Sequence, residues 1–188
     1  MQATSSRRLF VGFGLKKSEI EKTSLIKQRL SPFFNDTAKV VDNSNLHMTL
    51  GFLGQIDQTS YASVVDAIEL MPKPTFMQVL DTLSLWQSAR LICLKGHASE
   101  PLLLMAQSLL LIAKNHNVLI SEHQYVPHIS LFRQVNITTL PTLRCTTRLS
   151  LMPTELHLYQ SIKNKRQTDY SVLKSWPLTE DNKKAAII

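Results

Sequence analysis

Leu46-His47-Met48-Thr49-Leu50 and Pro127-His128-Ile129-Ser130-Leu131 are two copies of one pattern: histidine, apolar residue, hydroxyl residue, apolar residue. They stand 128 − 47 = 81 positions apart. Side chains alternate between the two faces of a strand, so in each copy the imidazole and the hydroxyl share one face. Met48, Leu50, Ile129 and Leu131 then point to the other face, into a core. A lone His-x-Thr is incidental, but the pattern occurs twice in like contexts in a chain with only six histidines. If the two strands sit in equivalent lobes that face each other, all four polar groups converge on one cleft.

The segments around these strands alternate strand and helix. Leu9 to Leu15 reads as a first strand, and Ser18-Glu-Ile-Glu21 matches a capping box for a helix over 18–33, with apolar Leu25, Ile26, Leu30 and Phe33 at helical spacing. A strand over 46–53 is followed by a helix over 59–71 that stops at Pro72-Lys-Pro74. Strands over 75–86 and 90–95 make a hairpin about Gln87-Ser-Ala89, and Pro101 opens a strongly apolar helix over 102–116. The second histidine strand over 128–132, a strand over 155–162 and a last one near Tyr170–Leu173 complete an α+β chain with antiparallel sheets and helices outside. No linker divides the chain. We expect one domain over 1–178 and a flexible tail over 179–188.

A cleft with two imidazoles and two hydroxyls suits phosphoryl chemistry. Opening a cyclic phosphodiester needs a base for water and an acid for the departing oxygen, on opposite sides of phosphorus. Imidazoles titrate near neutrality and serve both ends. Thr49 and Ser130 can donate to the non-bridging oxygens as charge builds there. Arg133, three residues beyond Ser130, is the candidate phosphate contact, because a guanidinium binds two oxygens at once. Structural zinc sites place ligands in close pairs, and no such pair occurs here, so no metal site is expected.

The other candidates have plainer readings. His97, His116, His123 and His157 lack a matching partner and read as surface or loop residues. Lys163, Lys165 and Arg166 form a basic cluster that suits an RNA backbone or simply a solvated loop. Phe10, Phe13, Phe52 and Phe132 offer stacking surfaces for bases, although aromatic residues in strands usually belong to the core.

Composition narrows the partners. Lysine and arginine number 21 against 14 acidic residues, a net charge of +7 that favours polyanions. Hydrophobic residues at 44% and charged residues at 19% fit a folded domain and argue against disorder. Cys93 and Cys145 form no Cys-x-x-Cys pair and read as cytosolic thiols. The run Leu9–Leu15 after Arg7-Arg8 ends at Lys16-Lys17 without a cleavage pattern, and Leu102–Ala113 is too short to span a bilayer. No Gly-x-Gly-x-x-Gly or Walker-type loop occurs, which excludes a glycine-rich nucleotide cradle. A cytoplasmic monomer with no membrane association and no cofactor is expected.

The sequence also resembles the two-histidine phosphoesterases, and among them the bacterial RNA 2',3'-cyclic phosphodiesterases, also called 2'-5' RNA ligases. The resemblance runs through Arg8-Leu-Phe10, Asn45-Leu-His-Met-Thr-Leu-Gly-Phe-Leu-Gly54, Arg90-Leu-Ile-Cys-Leu94, Pro127-His-Ile-Ser-Leu-Phe-Arg133, Leu158-Tyr-Gln-Ser161, and Tyr170, Leu173 and Trp176. It implies a bilobal fold, two small antiparallel sheets around a V-shaped groove, helices outside, a pseudo-twofold repeat and no metal requirement. It further implies that His47 donates a proton to the leaving oxygen, that His128 accepts one from water, and that the product is a 2'-phosphate, with 2'-5' RNA ligation as the reverse reaction. Ser130 departs from the threonine more usual there but keeps the hydroxyl. The loop Lys163–Asp169 lacks the family's glycine, which bears on substrate preference. The competing readings are a relative acting on small cyclic nucleotides or 2'-5' oligonucleotides, and a non-catalytic RNA-binding module.

Overall fold

Arg-Arg-Leu-Phe-Val-Gly-Phe-Gly opens the chain as strand β1 (Arg7–Gly14), with residues 9–13 all buried, as a central strand requires. The computed structural model describes residues 6–34, 38–116, 124–141, 147–164 and 168–180. After β1 comes helix α1 (Lys17–Leu30), then a 3-10 turn at Ser31–Phe33 holding Pro32. The helix therefore ends earlier than expected, before the proline. Its start also differs: Glu19, not Glu21, reaches back to accept the Lys16 backbone N–H at 2.7 Å. The carboxylate in the first turn complements the positive end of the helix; Lys16 has no side-chain acceptor, so only the glutamate half of the box is present.

Two short elements, β2 (Lys39–Val40) and a 3-10 turn at Asn43–Asn45, lead into β3 (His47–Ile56). Helix α2 (Gln58–Leu70) is capped by Asp57, whose carboxylate accepts the Ser60 N–H at 2.7 Å. Losing such a cap costs about 1 kcal/mol. The segment expected as one strand over 75–86 is two, β4 (Gln78–Leu80) and β5 (Thr82–Trp86). They part at Asp81, whose N–H bonds the Lys95 carbonyl. β5 forms the expected hairpin with β6 (Leu91–Lys95), while β4 pairs with the distant β8 (Leu149–Leu151). Helix α3 (Glu100–Asn115), β7 (His128–Arg133), β9 (Glu155–Lys163) and β10 (Thr168–Pro177) complete the chain.

Eight strands make one sheet in the order β10-β9-β1-β3-β7-β6-β5, with β2 also on β7 and every pairing antiparallel. β3 and β7 meet through a single register pair, Met48 with Ile129. Four strands lie on either side of that seam, and each half carries one histidine motif. Both seam residues are fully buried, as are Leu50 and Leu131 within a few percent, so the apolar positions of both motifs face the core as expected. α3 buries Leu102, Met105, Leu109 and Ala113 and packs on β3. Burying each larger side chain contributes about 1.5–3 kcal/mol. Gly51 makes that contact possible: a Cβ there would lie 2.8 Å from Leu109 Cδ2.

The expected tail does not begin at 179. The Thr179 N–H bonds Lys73 O at 2.9 Å, and its carbonyl accepts the Thr75 N–H at 3.0 Å. Residues 181–188, like His123, Cys145, Lys165 and Arg166, lie outside the described residues. Among the described residues no helix is long and apolar enough to cross a membrane.

Candidate active site

By antiparallel registry about Met48–Ile129, His47 falls level with Ser130 and Thr49 level with His128. Opposite them on β1, Gly14 pairs with His47 and Gly12 with Thr49. A Cβ on Gly12 would come within 2.6 Å of Met48 O, so only glycine lets β1 close on this stretch and leave the floor of the site bare.

The two imidazoles are held alike. His47 Nδ1 lies 2.7 Å from the Asn45 carbonyl and His128 Nδ1 lies 2.9 Å from the Val126 carbonyl, each two residues upstream. A carbonyl oxygen only accepts, so in both rings Nδ1 carries the hydrogen and Nε2 presents a lone pair when the ring is neutral. Aromatic neighbours fix the ring planes. His47 lies 4.8 Å from Phe10 and 5.0 Å from Tyr170, centroid to centroid, and His128 lies 4.5 Å from Trp86. Burial pushes the His47 imidazole down to about 4, the Asn45 hydrogen bond opposing and the charges of Arg133 and His128 adding to the fall. His128 is lowered by burial first, the Val126 bond opposing and Arg133 adding.

Arg133 is brought into this field by a bulge. β7 and β6 pair Arg133 with Leu91 and Phe132 with Ile92, then Ser130 with Cys93, leaving Leu131 as an extra residue. The extra residue reverses the alternation, so Leu131 and Phe132 are both buried while Arg133 returns to the face of Ser130 and His128. Arg133 lowers both histidines, which places its charge near each. Plain alternation would put Arg133 on the core face.

Two cavities lie here, one bordered by His128 and the other by Asn45 and Tyr170, which both contact His47. One, about 580 Å³, is bordered by Thr49, Phe52, Trp86, Leu103, Tyr125 and His128, among others, with no lysine or arginine among the described residues that border it. The other, about 820 Å³, is bordered by Lys39, Asp42, Asn45, Arg90, Arg133, Lys163 and Tyr170, among others.

Of the phenylalanines that could stack on bases, Phe13 and Phe132 are buried in the core, Phe10 is buried beneath His47 against Tyr159 and Tyr170, and Phe52, which touches Phe10, is 55% exposed. His157 is not a loop residue: it sits on β9, with Nδ1 2.8 Å from Ser175 Oγ. His97 lies in a loop and His116 at the C-terminal cap of α3. Sequence reasoning missed Trp86 and Tyr125 altogether. Tyr125 donates its hydroxyl to the Thr49 carbonyl at 3.1 Å, bracing β3 at the site, and only its nearness to the second motif hinted at this. Burial raises the Cys93 thiol to about 12, which makes it inert. Among the described residues no three His, Cys, Asp or Glu side chains stand close enough to hold a metal ion.

Known proteins are similar to this chain in sequence and fold. The family model of the LigT-like phosphoesterases matches residues 14–92, which include the first histidine motif. The RNA 2',3'-cyclic phosphodiesterase of Escherichia coli strain K12 is 29% identical over 177 residues, 93% of this chain and 98% of that protein. The crystal structure of E. coli LigT complexed with 3'-AMP superposes with a TM-score of 0.83 at 26% identity, over 94% of this chain and all of that one. TT0787 of Thermus thermophilus, 20% identical over 93% of this chain and 99% of that one, shares the fold with a TM-score of 0.77. The chain is thus similar to the LigT-like phosphoesterases, by the family model over residues 14–92 and by relatives that span nearly its whole length.

Proposed function

We propose that the chain is an RNA 2',3'-cyclic phosphodiesterase, and that His47, His128, Thr49, Ser130 and Arg133 carry the reaction. One observation supports this most: two imidazoles, each with Nδ1 tied to a carbonyl, offer Nε2 on the same face of adjoining strands. A water oxygen attacks phosphorus as His128 Nε2 takes its proton. On the far side the bond to the ribose 3' oxygen breaks, and that oxygen takes a proton from His47 Nε2. Thr49 and Ser130 hydroxyls donate to the non-bridging oxygens, and Arg133 balances their charge.

The electrostatics fit a site awaiting an anion. With His47 lowered to about 4 and His128 lowered too, both rings are neutral near pH 7 in the empty site. A phosphate monoanion between them favours the imidazolium and draws a proton onto the donor. The general acid is therefore charged chiefly when substrate is bound.

The relative is named an RNA 2',3'-cyclic phosphodiesterase, and LigT has been crystallised with 3'-AMP, which supports a nucleotide substrate here. Residues 1–178 act as one unit in this reading, since each half supplies one histidine. A cytoplasmic monomer also belongs to it, and the free, buried Cys93 thiol suits a reducing compartment. The test is a cyclic-ended oligoribonucleotide incubated with enzyme and resolved against 2'- and 3'-phosphate standards. The expected product is the 2'-phosphate; a predominant 3'-phosphate reverses the roles of the two ribose oxygens.

A further inference from the structure

We propose that the apolar cavity bordered by His128 is an acceptor site for a neutral primary alcohol with an apolar body the size of one ring, and that the enzyme transfers the opened nucleotide to that alcohol as well as to water. This rests on the phosphodiesterase reading above, in which His128 takes the proton of the attacking group.

An attacking water needs about 30 Å³. The cavity beside the base measures about 580 Å³, within the range that holds small organic ligands. Phe52, Trp86, Leu103, Leu109 and Leu110 border it, and two of these, Phe52 at 55% and Leu103 at 36%, leave large apolar side chains exposed. Apolar surface held open to water favours a guest that covers it. Trp86 stands 4.5 Å from His128, ring centroid to ring centroid, so a ring stacked on the Trp86 indole carries its hydroxyl close to the base.

The border also sets the charge of the guest. Among the described residues on it there is no lysine, arginine, aspartate or glutamate, and Gln107 and Gln124 offer only neutral amides. The Tyr125 hydroxyl is already donated to the Thr49 carbonyl at 3.1 Å. A charged group that enters such a cavity loses its water and gains no counter-charge. An RNA 5' end carries a phosphodiester close behind its hydroxyl, so it suits the cavity less well than an uncharged alcohol.

The transfer needs no further reactant. The alcohol oxygen bonds to phosphorus while its proton passes to His128 Nε2. The bond from phosphorus to the ribose 3' oxygen breaks, and that oxygen takes a proton from His47 Nε2. The product is a 2'-phosphodiester that joins the nucleotide to the alcohol, and hydrolysis is the same step with water as the attacking group.

The test incubates cytidine 2',3'-cyclic phosphate with the full chain in plain buffer and with benzyl alcohol, methanol or a 5'-hydroxyl oligonucleotide that lacks a cyclic end. Monoester and diester products are resolved against standards. The diester-to-monoester ratio, per mole of acceptor, should be at least about tenfold higher for benzyl alcohol than for methanol, and should saturate at roughly 1–10 mM, the sign of a bound acceptor. Phe52→Gln/Leu103→Gln should lower the benzyl ratio at least about fivefold and leave the methanol ratio unchanged. The control Leu104→Gln/Leu111→Gln, at exposed positions of α3 off the cavity border, should change neither. Each ratio is read within one reaction, so a slower variant is still informative, and the comparison of alcohols in wild type needs no variant at all. Equal ratios for the two alcohols, a benzyl ratio that survives in the cavity variant, or a higher ratio for the oligonucleotide overturns the proposal. If wild type forms the 2'-phosphate but no diester, the acceptor site alone falls; if it forms neither, the phosphodiesterase reading fails, and the proposal with it.

Discussion

Acid should destabilise this protein through His47, because burial holds its ring below the ordinary imidazole range. The folded ring sits at about 4 against an ordinary 6.5, because burial disfavours its charged form. As pH falls below 6.5 the unfolded chain takes the proton first, so the stability this residue contributes is complete above about 6.5 and is lost as pH falls toward 4. A displacement of about 2.5, at about 1.36 kcal/mol each, comes to roughly 3 kcal/mol when fully developed. About 2 kcal/mol of that is gone by pH 5. Urea unfolding followed by circular dichroism, at pH 7 and pH 5, measures the loss in wild type and in His47→Gln. Other titrating groups are common to both proteins, so wild type should lose about 2 kcal/mol more than the variant, a midpoint difference of roughly 1 M urea. Equal losses in the two proteins would mean that His47 is not buried in a way that resists protonation.

The same lowering predicts that log(kcat/KM) falls with pH above about 6.5, because kcat/KM reads the free enzyme and the acid must be protonated, while kcat, read on the complex, peaks at higher pH; coincident profiles would refute this. Arg133→Gln should raise both histidine titrations in NMR spectra, and unmoved titrations would remove Arg133 from the site. Ser130→Thr should be near neutral whereas Ser130→Ala lowers kcat more than it changes KM, because the hydrogen bond strengthens as charge develops; an alanine variant with unchanged kinetics removes Ser130 from the mechanism. Ile129→Ala opens a cavity at the seam and should cost about 2–5 kcal/mol in denaturant unfolding, a loss below 1 kcal/mol arguing that the halves are held elsewhere.

Period and punctuation made much of the fold legible. Alternation around His47 and His128 located two strands whose apolar residues are buried, and Pro101 marked the start of α3. What depends on a distant partner was not legible. β4 breaks from β5 because it pairs with Leu149–Leu151, and nothing within residues 75–86 announces that choice. Arg133 could be named from its closeness to Ser130, but the face it occupies depends on the Leu131 bulge, a property of the β6–β7 pairing. The basic cavity joins Lys39, Arg90, Arg133 and Lys163 from four separate segments, of which only the last two stand out in the sequence. Trp86 escaped notice because a hairpin, not local spacing, carries it to His128.

The central claim is that the two imidazoles act together on one phosphate. Single-turnover hydrolysis of a cyclic-ended oligoribonucleotide by wild type, His47→Ala and His128→Ala tests it most directly, with circular dichroism establishing that each variant is folded. Each substitution should lower the rate at least about a hundredfold, the lower end for removing a positioned acid or base. A natively folded alanine variant at either position that turned over at the wild-type rate would contradict the two-histidine mechanism.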